Sequence, residues 1–349
     1  MTPSRQSPNA SKLAPGSLLR GNKQHTNGDR YTMDSFIYSL NATVPIFLIM
    51  IIGNVLNRIG LIDRHFSSIA DKFVFKLCLP CMLYLSLADT DIRHNFDGKY
   101  IGYCFIVTLL SIVLIWFFAK HLMKDKSMVG AFVQGSYRSS AAILGMAFIQ
   151  NIYGTAEMAP LMIIGSVPLY NIFAVVVLTM ESNDKDAGDI STRIKSSLIG
   201  ILKNPIIIGI VLGLIASYFS FSLPHMLDKT VQNLSVMTSP LALISIGASF
   251  EGKKAIAKIK PTAIASFLKL IGLAAIFLPV AVWLGFRDQK LIAIIIMLAS
   301  PCTPTSYIMA KNMDGDAVLA SSIVVTTTLL SSLTLTGWIF LTRLMDYIR

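Results

Sequence analysis

Long uninterrupted apolar runs constrain this chain more than any other feature. A bilayer hydrocarbon core of about 30 Å takes around 20 apolar residues per helix. Runs of that length recur near residues 36–57, 68–88, 100–120, 127–150 and 158–180, and again near 205–222, 231–250, 262–285, 291–311 and 318–342. Of the 349 residues 54% are hydrophobic and only 14% charged, which excludes a soluble globular enzyme. The formal charge is +11, but the basic residues sit in the gaps between runs, so it does not mark a nucleic-acid partner. The pattern predicts an all-α integral membrane protein of ten transmembrane helices, with the lipid bilayer as its solvent.

Residues 1–32 differ from the rest. They are rich in Ser, Pro, Asn and Gly, carry five basic residues and lack apolar periodicity, and they read as a disordered leader segment. Two five-helix units are expected, at 33–180 and 205–349. Between them, residues 181–204 form a linker in which Ile190, Ile194, Leu198 and Ile201 recur at helical spacing. That spacing fits an interfacial helix, and a solvated linker fits equally well. Cys78, Cys81, Cys104 and Cys302 all fall inside apolar runs and imply no disulfide framework.

Positive charge sets the expected orientation. With residues at span edges counted in the adjacent loop, the odd-numbered loops hold 15 Lys and Arg, against 7 in the even-numbered loops and the carboxyl tail. The excess predicts cytoplasmic odd loops, and ten spans then put both termini outside the cytoplasm of a cell-membrane protein.

The two units repeat one another. Pro45, Gly53 and Pro80 correspond to Pro205, Gly213 and Pro240 at an offset of 160, and Asn151, Gly154 and Ala156 correspond to Asn312, Gly315 and Ala317 at 161. Five spans per unit is odd, so the second unit enters the membrane in the opposite sense. Inverted repeats are a transporter architecture, with the substrate held near the midplane where discontinuous helices meet. The fourth span reads Gln134-Gly-Ser-Tyr-Arg138-Ser-Ser140, and the ninth reads Ala299-Ser-Pro301-Cys-Thr303-Pro304-Thr. Two prolines disfavour helix before them, and small hydroxyl residues can re-satisfy an opened backbone. Broken crossing helices in spans 4 and 9 are therefore expected.

Arg138, Ser139, Ser140, Pro301, Cys302, Thr303, Pro304 and Thr305 are the expected substrate-binding residues, with Asn171 of the fifth span able to supply an amide. No acidic residue or histidine falls well inside a run. Lys76, Arg138 and Lys269 do, and three intramembrane cations without a carboxylate point to an anionic substrate. Lys76 and Lys269 are secondary positions, because long amines can snorkel toward an interface, and Tyr307 is a further secondary position. No catalytic group, metal cluster or cofactor motif is recognised, and the absence of a phosphate loop leaves an ion gradient as the energy source.

At these residues the chain resembles the auxin efflux carrier family, which includes plant auxin exporters and bacterial malate or malonate permeases. The resemblance rests on Val44-Pro45, on Lys72 through Pro80, on Tyr137-Arg-Ser139 through Gly145 to Tyr153-Gly154, and on Pro301 with Ala310-Lys311. It implies two inverted five-helix repeats and elevator-like transport of organic anions. Ser140 stands where members often have Asn, Cys302 where the plant proteins have Gln, and the third span lacks their acidic residue. These departures argue against assuming auxin. The expected function is a permease for mono- or dicarboxylates such as malate, coupled to H+ or Na+. Sodium-coupled carriers resembling those for bile acids, and auxin-like efflux, are the alternatives, and a homodimer is left open.

Overall fold

The computed structural model describes residues 44–88, 97–141, 149, 153, 158–181, 199, 202–250 and 252–348. Among these residues all regular structure is helical. The leader and nearly all of the proposed interfacial helix lie outside the described residues.

Three continuous helices are α4 (Gly98–Leu122), α6 (Met158–Met180) and α15 (Ala317–Leu344). Two further stretches are long and apolar enough to cross a membrane. One joins α8 (His225–Val236) to α9 (Thr238–Ser249), and the other joins α11 (Ile259–Phe267) through a π turn, Leu268–Gly272, to α12 (Leu273–Trp283). At 1.5 Å per residue, a 25-residue helix such as α4 is roughly 37 Å long, more than the hydrocarbon core requires. Among the described residues five stretches thus qualify by length and composition.

The remaining apolar runs form shorter pieces. α1 covers Val44–Arg58 and α7 covers Pro205–Phe219. α2 (Arg64–Phe73) passes through a π turn, Val74–Cys78, into α3 (Leu79–Ala88). α5 covers Val129–Tyr137, α10 Gly252–Ala257, α13 Asp288–Ala299 and α14 Thr305–Asn312.

Side-chain caps fix where several helices begin. Asp63, Asp97, Asn204 and Asp316 each accept a hydrogen bond from a first-turn N–H of α2, α4, α7 and α15 respectively. Pro205 follows Asn204 at the first helical position, where its missing N–H costs nothing. Asp97 also pairs with Lys290 at 2.6 Å, tying the start of α4 to that of α13. The Lys290 hydrogen bond holds the Asp97 carboxyl below the usual carboxylate range.

The sequence distinguishes outer from inner helices by where the apolar side chains point. On α4, Phe105, Ile106, Leu110, Val113 and Phe117 are exposed, as are Ile208, Val211, Leu212 and Ile215 on α7. Such rows suit lipid contact. Every residue of α5 is buried, and so is every residue of α13 from Leu291 to Ala299. The core therefore surrounds α5, α6, α13 and α14.

Two close approaches between helices share a register. A β-carbon on Gly53 of α1 would collide with the Ile244 carbonyl of α9, and one on Gly213 of α7 would lie 2.8 Å from the Tyr84 carbonyl oxygen of α3. Gly53 to Gly213 and Tyr84 to Ile244 are both steps of 160 residues. Only glycine lets these backbones meet.

Candidate functional site

The site is built where two helices stop inside the core. α5 ends at Tyr137, and Arg138 turns extended at φ −65°, ψ 140°. α13 ends at Ala299, and Ser300, immediately before Pro301, is extended at φ −74°, ψ 161°. The proline ring clashes with a helical residue before it, which gives the second stop its physical cause. Helix resumes at Thr305 as α14.

The two non-helical stretches are bonded to each other. The Ser140 N–H donates to the Pro301 carbonyl at 3.1 Å. Ser139 donates to the Ile296 carbonyl at 3.0 Å and its hydroxyl also meets that of Ser300. The Cys302 N–H donates to Thr327 Oγ1 at 3.1 Å, and Gln134 Nε2 to the Ser306 carbonyl at 2.9 Å. Side chains thus satisfy backbone groups that continuous helices would have paired internally.

Beside this junction lies a cavity of about 400 Å³. Arg138, Ser139, Ser140, Asn171, Thr303 and Thr305 line it, together with Ser86, Tyr170, Ser235 and Ser239 and an apolar wall of Met82, Leu83, Val167 and Val236. No acidic side chain is among the lining residues. Six of the residues expected from sequence therefore meet here. Pro301, Cys302 and Pro304 shape the backbone behind it. The hydroxyls of Ser86, Ser235 and Ser239 carry no sequence signal, because serine is common in packed membrane helices.

Arg138 is 3% exposed. Its Nη2 donates to Asn171 Oδ1 at 2.7 Å and to Thr305 Oγ1 at 3.1 Å, and its Nη1 to the Met309 sulfur at 2.7 Å. Nε has no partner. Every partner is neutral, and Asn171 is held in turn by donating to the Val167 carbonyl at 2.9 Å. A buried guanidinium with no carboxylate partner among the described residues has the chemistry to pair with an anion.

The structure does not bring Lys269 or Lys76 into this cavity. Lys269 is fully buried, and its ammonium donates to the Met297 and Leu298 carbonyls at 3.2 and 2.8 Å, the last turn of α13. It caps the negative end of that helix. Lys76 lies in the π turn between α2 and α3 and lines a separate, largely apolar groove with Pro80, Tyr84, Gly209 and Leu212.

Tyr307 belongs to another cluster. Its hydroxyl lies 3.4 Å from Asp71 Oδ2, and Lys311 donates to that hydroxyl at 2.9 Å while pairing with Asp71 Oδ2 at 2.5 Å. Asp71, at the edge of its apolar run, is nevertheless only 1% exposed. The helix begins at Arg64, before the apolar run, so Asp71 lies two turns inside it. Its partner is 240 positions away in sequence, and a single sequence carries no signal of that pairing.

Several long apolar helices around a buried polar cavity are features of a multi-pass membrane protein. The chain belongs to the family described as membrane transport protein, the auxin efflux carrier family, whose model matches residues 38–339. An uncharacterized transporter of Methanocaldococcus jannaschii is 21% identical over 311 residues, covering 86% of this chain and 99% of the relative. Another, of Methanothermobacter thermautotrophicus, is 19% identical over 307 residues, covering 87% and 98%.

Proposed function

We propose that this chain is a secondary carrier for small organic anions, mono- or dicarboxylates such as malate, working by elevator-like alternating access. The observation that carries this reading is the buried Arg138, faced only by neutral partners and open to a 400 Å³ cavity with no acidic wall. A carboxylate would take two parallel hydrogen bonds from the planar guanidinium, with Asn171, Thr303 and Thr305 completing its shell. The start of α14 at Thr305 adds its positive dipole end to the same space.

Ten spans in two inverted five-helix units, at 33–180 and 205–349, are part of this proposal. The paired approaches of Gly53 to Ile244 and Gly213 to Tyr84, related by one offset, support it. So do the two helix stops that meet between Ser140 and Pro301. In such a carrier the two units exchange conformations, and the site faces each side of the cell membrane in turn.

Binding to purified protein in nanodiscs tests the reading. L-malate, malonate, lactate and indole acetate would be compared with malamide, the neutral diamide of malate. At least one carboxylate should bind, and malamide should bind far more weakly than malate. Malamide binding as tightly as the best anion would overturn the reading.

A further inference from the structure

A second space, larger than the anion cavity, opens beside the exposed row of α7. It is a groove of about 740 Å³ between α3, α7 and α8, walled by Pro80, Tyr84, Leu212, Ile215, Phe219 and Val231. Lys76 is its one charged lining residue, and no acidic side chain lines it. The volume falls within the range of sites that hold small molecules.

Lys76 stands at one end of this groove. A β-carbon on Gly209 of α7 would lie 2.6 Å from the Pro80 carbonyl oxygen of α3, and Gly213 meets Tyr84 in the same way. Both sides of the contact step by four residues, so α3 and α7 run side by side in one direction. Four residues further back, Lys76 comes about level with Pro205, the first residue of α7. From Pro205 to Phe219 the helix rises roughly 21 Å, more than the roughly 15 Å of hydrocarbon in one leaflet. The groove is long enough for an acyl chain.

Its Lys76 end is basic. Lys72 lies one turn earlier on α2, Lys203 lies two residues before Pro205, and all three lysines are exposed. None of them pairs with a carboxylate among the described residues. Asn204 caps α7 at this end, where the helix start adds its positive dipole. At the far end Phe219, Phe221 and Leu223 are apolar. Cations at one end and hydrocarbon along the rest are complementary to an anionic headgroup followed by its tail. A neutral lipid would fill the apolar wall and leave three ammoniums unanswered. The loop-charge orientation puts residues 181–204 in the cytoplasm, and the cytoplasmic leaflet is the one that carries anionic lipids.

We propose that this groove holds one acyl chain of an anionic phospholipid whose phosphate headgroup meets Lys72, Lys76 and Lys203. The assignment is independent of which anion the carrier moves.

Native mass spectrometry of the purified full chain in nonionic detergent tests it, with dioleoyl phosphatidylglycerol and dioleoyl phosphatidylcholine offered at equal concentration and oleate offered separately. Phosphatidylglycerol should bind about tenfold or more tighter than phosphatidylcholine, since a lysine near an anionic lipid contributes roughly 1 kcal/mol, or about fivefold. Lys76→Gln should cut that preference about fivefold, and the triple variant Lys72→Gln/Lys76→Gln/Lys203→Gln should abolish it. Leu212 and Ile215 are 53% and 49% exposed, so Leu212→Trp with Ile215→Trp fills the groove from its open side and should displace both phospholipids. Equal binding of the two phospholipids to the unaltered protein, or a preference kept by the triple variant, would overturn the proposal. So would oleate binding that excludes phosphatidylglycerol, or dimers that carry no lipid, in which a second copy covers the groove.

Discussion

Arg138 keeps its charge at any pH the protein meets, so the cavity is cationic unless an anion occupies it. Arg138→Lys retains the charge without the fork and should keep weak anion binding. Arg138→Gln should lose about ten- to a hundredfold in affinity, since hydrogen bonds to charged groups contribute roughly 1.5–3 kcal/mol. Isothermal titration of purified, monodisperse variants measures both, and equal affinity in Arg138→Gln would remove the residue from the site. Lys269 is a different kind of cation, bonded to the Met297 and Leu298 carbonyls rather than facing the cavity. Lys269→Met should lower stability by about 1–3 kcal/mol, the cost of a lost buried hydrogen-bond partner, seen as a lower melting temperature, and leave anion affinity unchanged. A folded Lys269→Met variant with lost affinity would show that the lysine belongs to the site. Sequence alone ranks both residues as unpaired intramembrane cations. Sequence already sets Lys269 second, because long amines can snorkel, and the fold adds the cause: the carbonyls that Lys269 caps are freed by a helix end set by Pro301.

At the scale of elements, the proline pair is what the sequence made readable. Pro301 dictates an extended Ser300, and α13 does stop at Ala299. The stop of α5 at Tyr137 has no proline to announce it and was legible only through the small polar residues that follow. Pro301→Ala with Pro304→Ala should allow α13 and α14 to join, impairing uptake into proteoliposomes more than membrane insertion. Normal uptake by the double variant would contradict a role for the interruption. The π turns at Val74–Cys78 and Leu268–Gly272 had no sequence signature, since extra-residue turns arise from packing rather than local propensity. Asp71 was missed for a related reason. Apolar runs locate the part of a helix within lipid, and α2 starts at Arg64, ahead of its run.

For the whole molecule, hydropathy located the long apolar helices α4, α6, α11–α12 and α15, and the resemblance in ordered short motifs identified the family that matches residues 38–339. Orientation rests on loop charge alone. Single cysteines introduced between residues 181 and 204 should react with impermeant reagents only from the cytoplasmic face, and labelling from outside would reverse the assignment. If the chain moves small organic anions through the Arg138 cavity, counterflow will report that movement. Proteoliposomes holding unlabelled malate should accumulate labelled malate from outside, internal malonate should substitute for internal malate, and internal malamide should not. The same vesicles bearing Arg138→Gln should accumulate little. Accumulation that is equally strong with internal malamide, or undiminished in folded Arg138→Gln, would contradict the account.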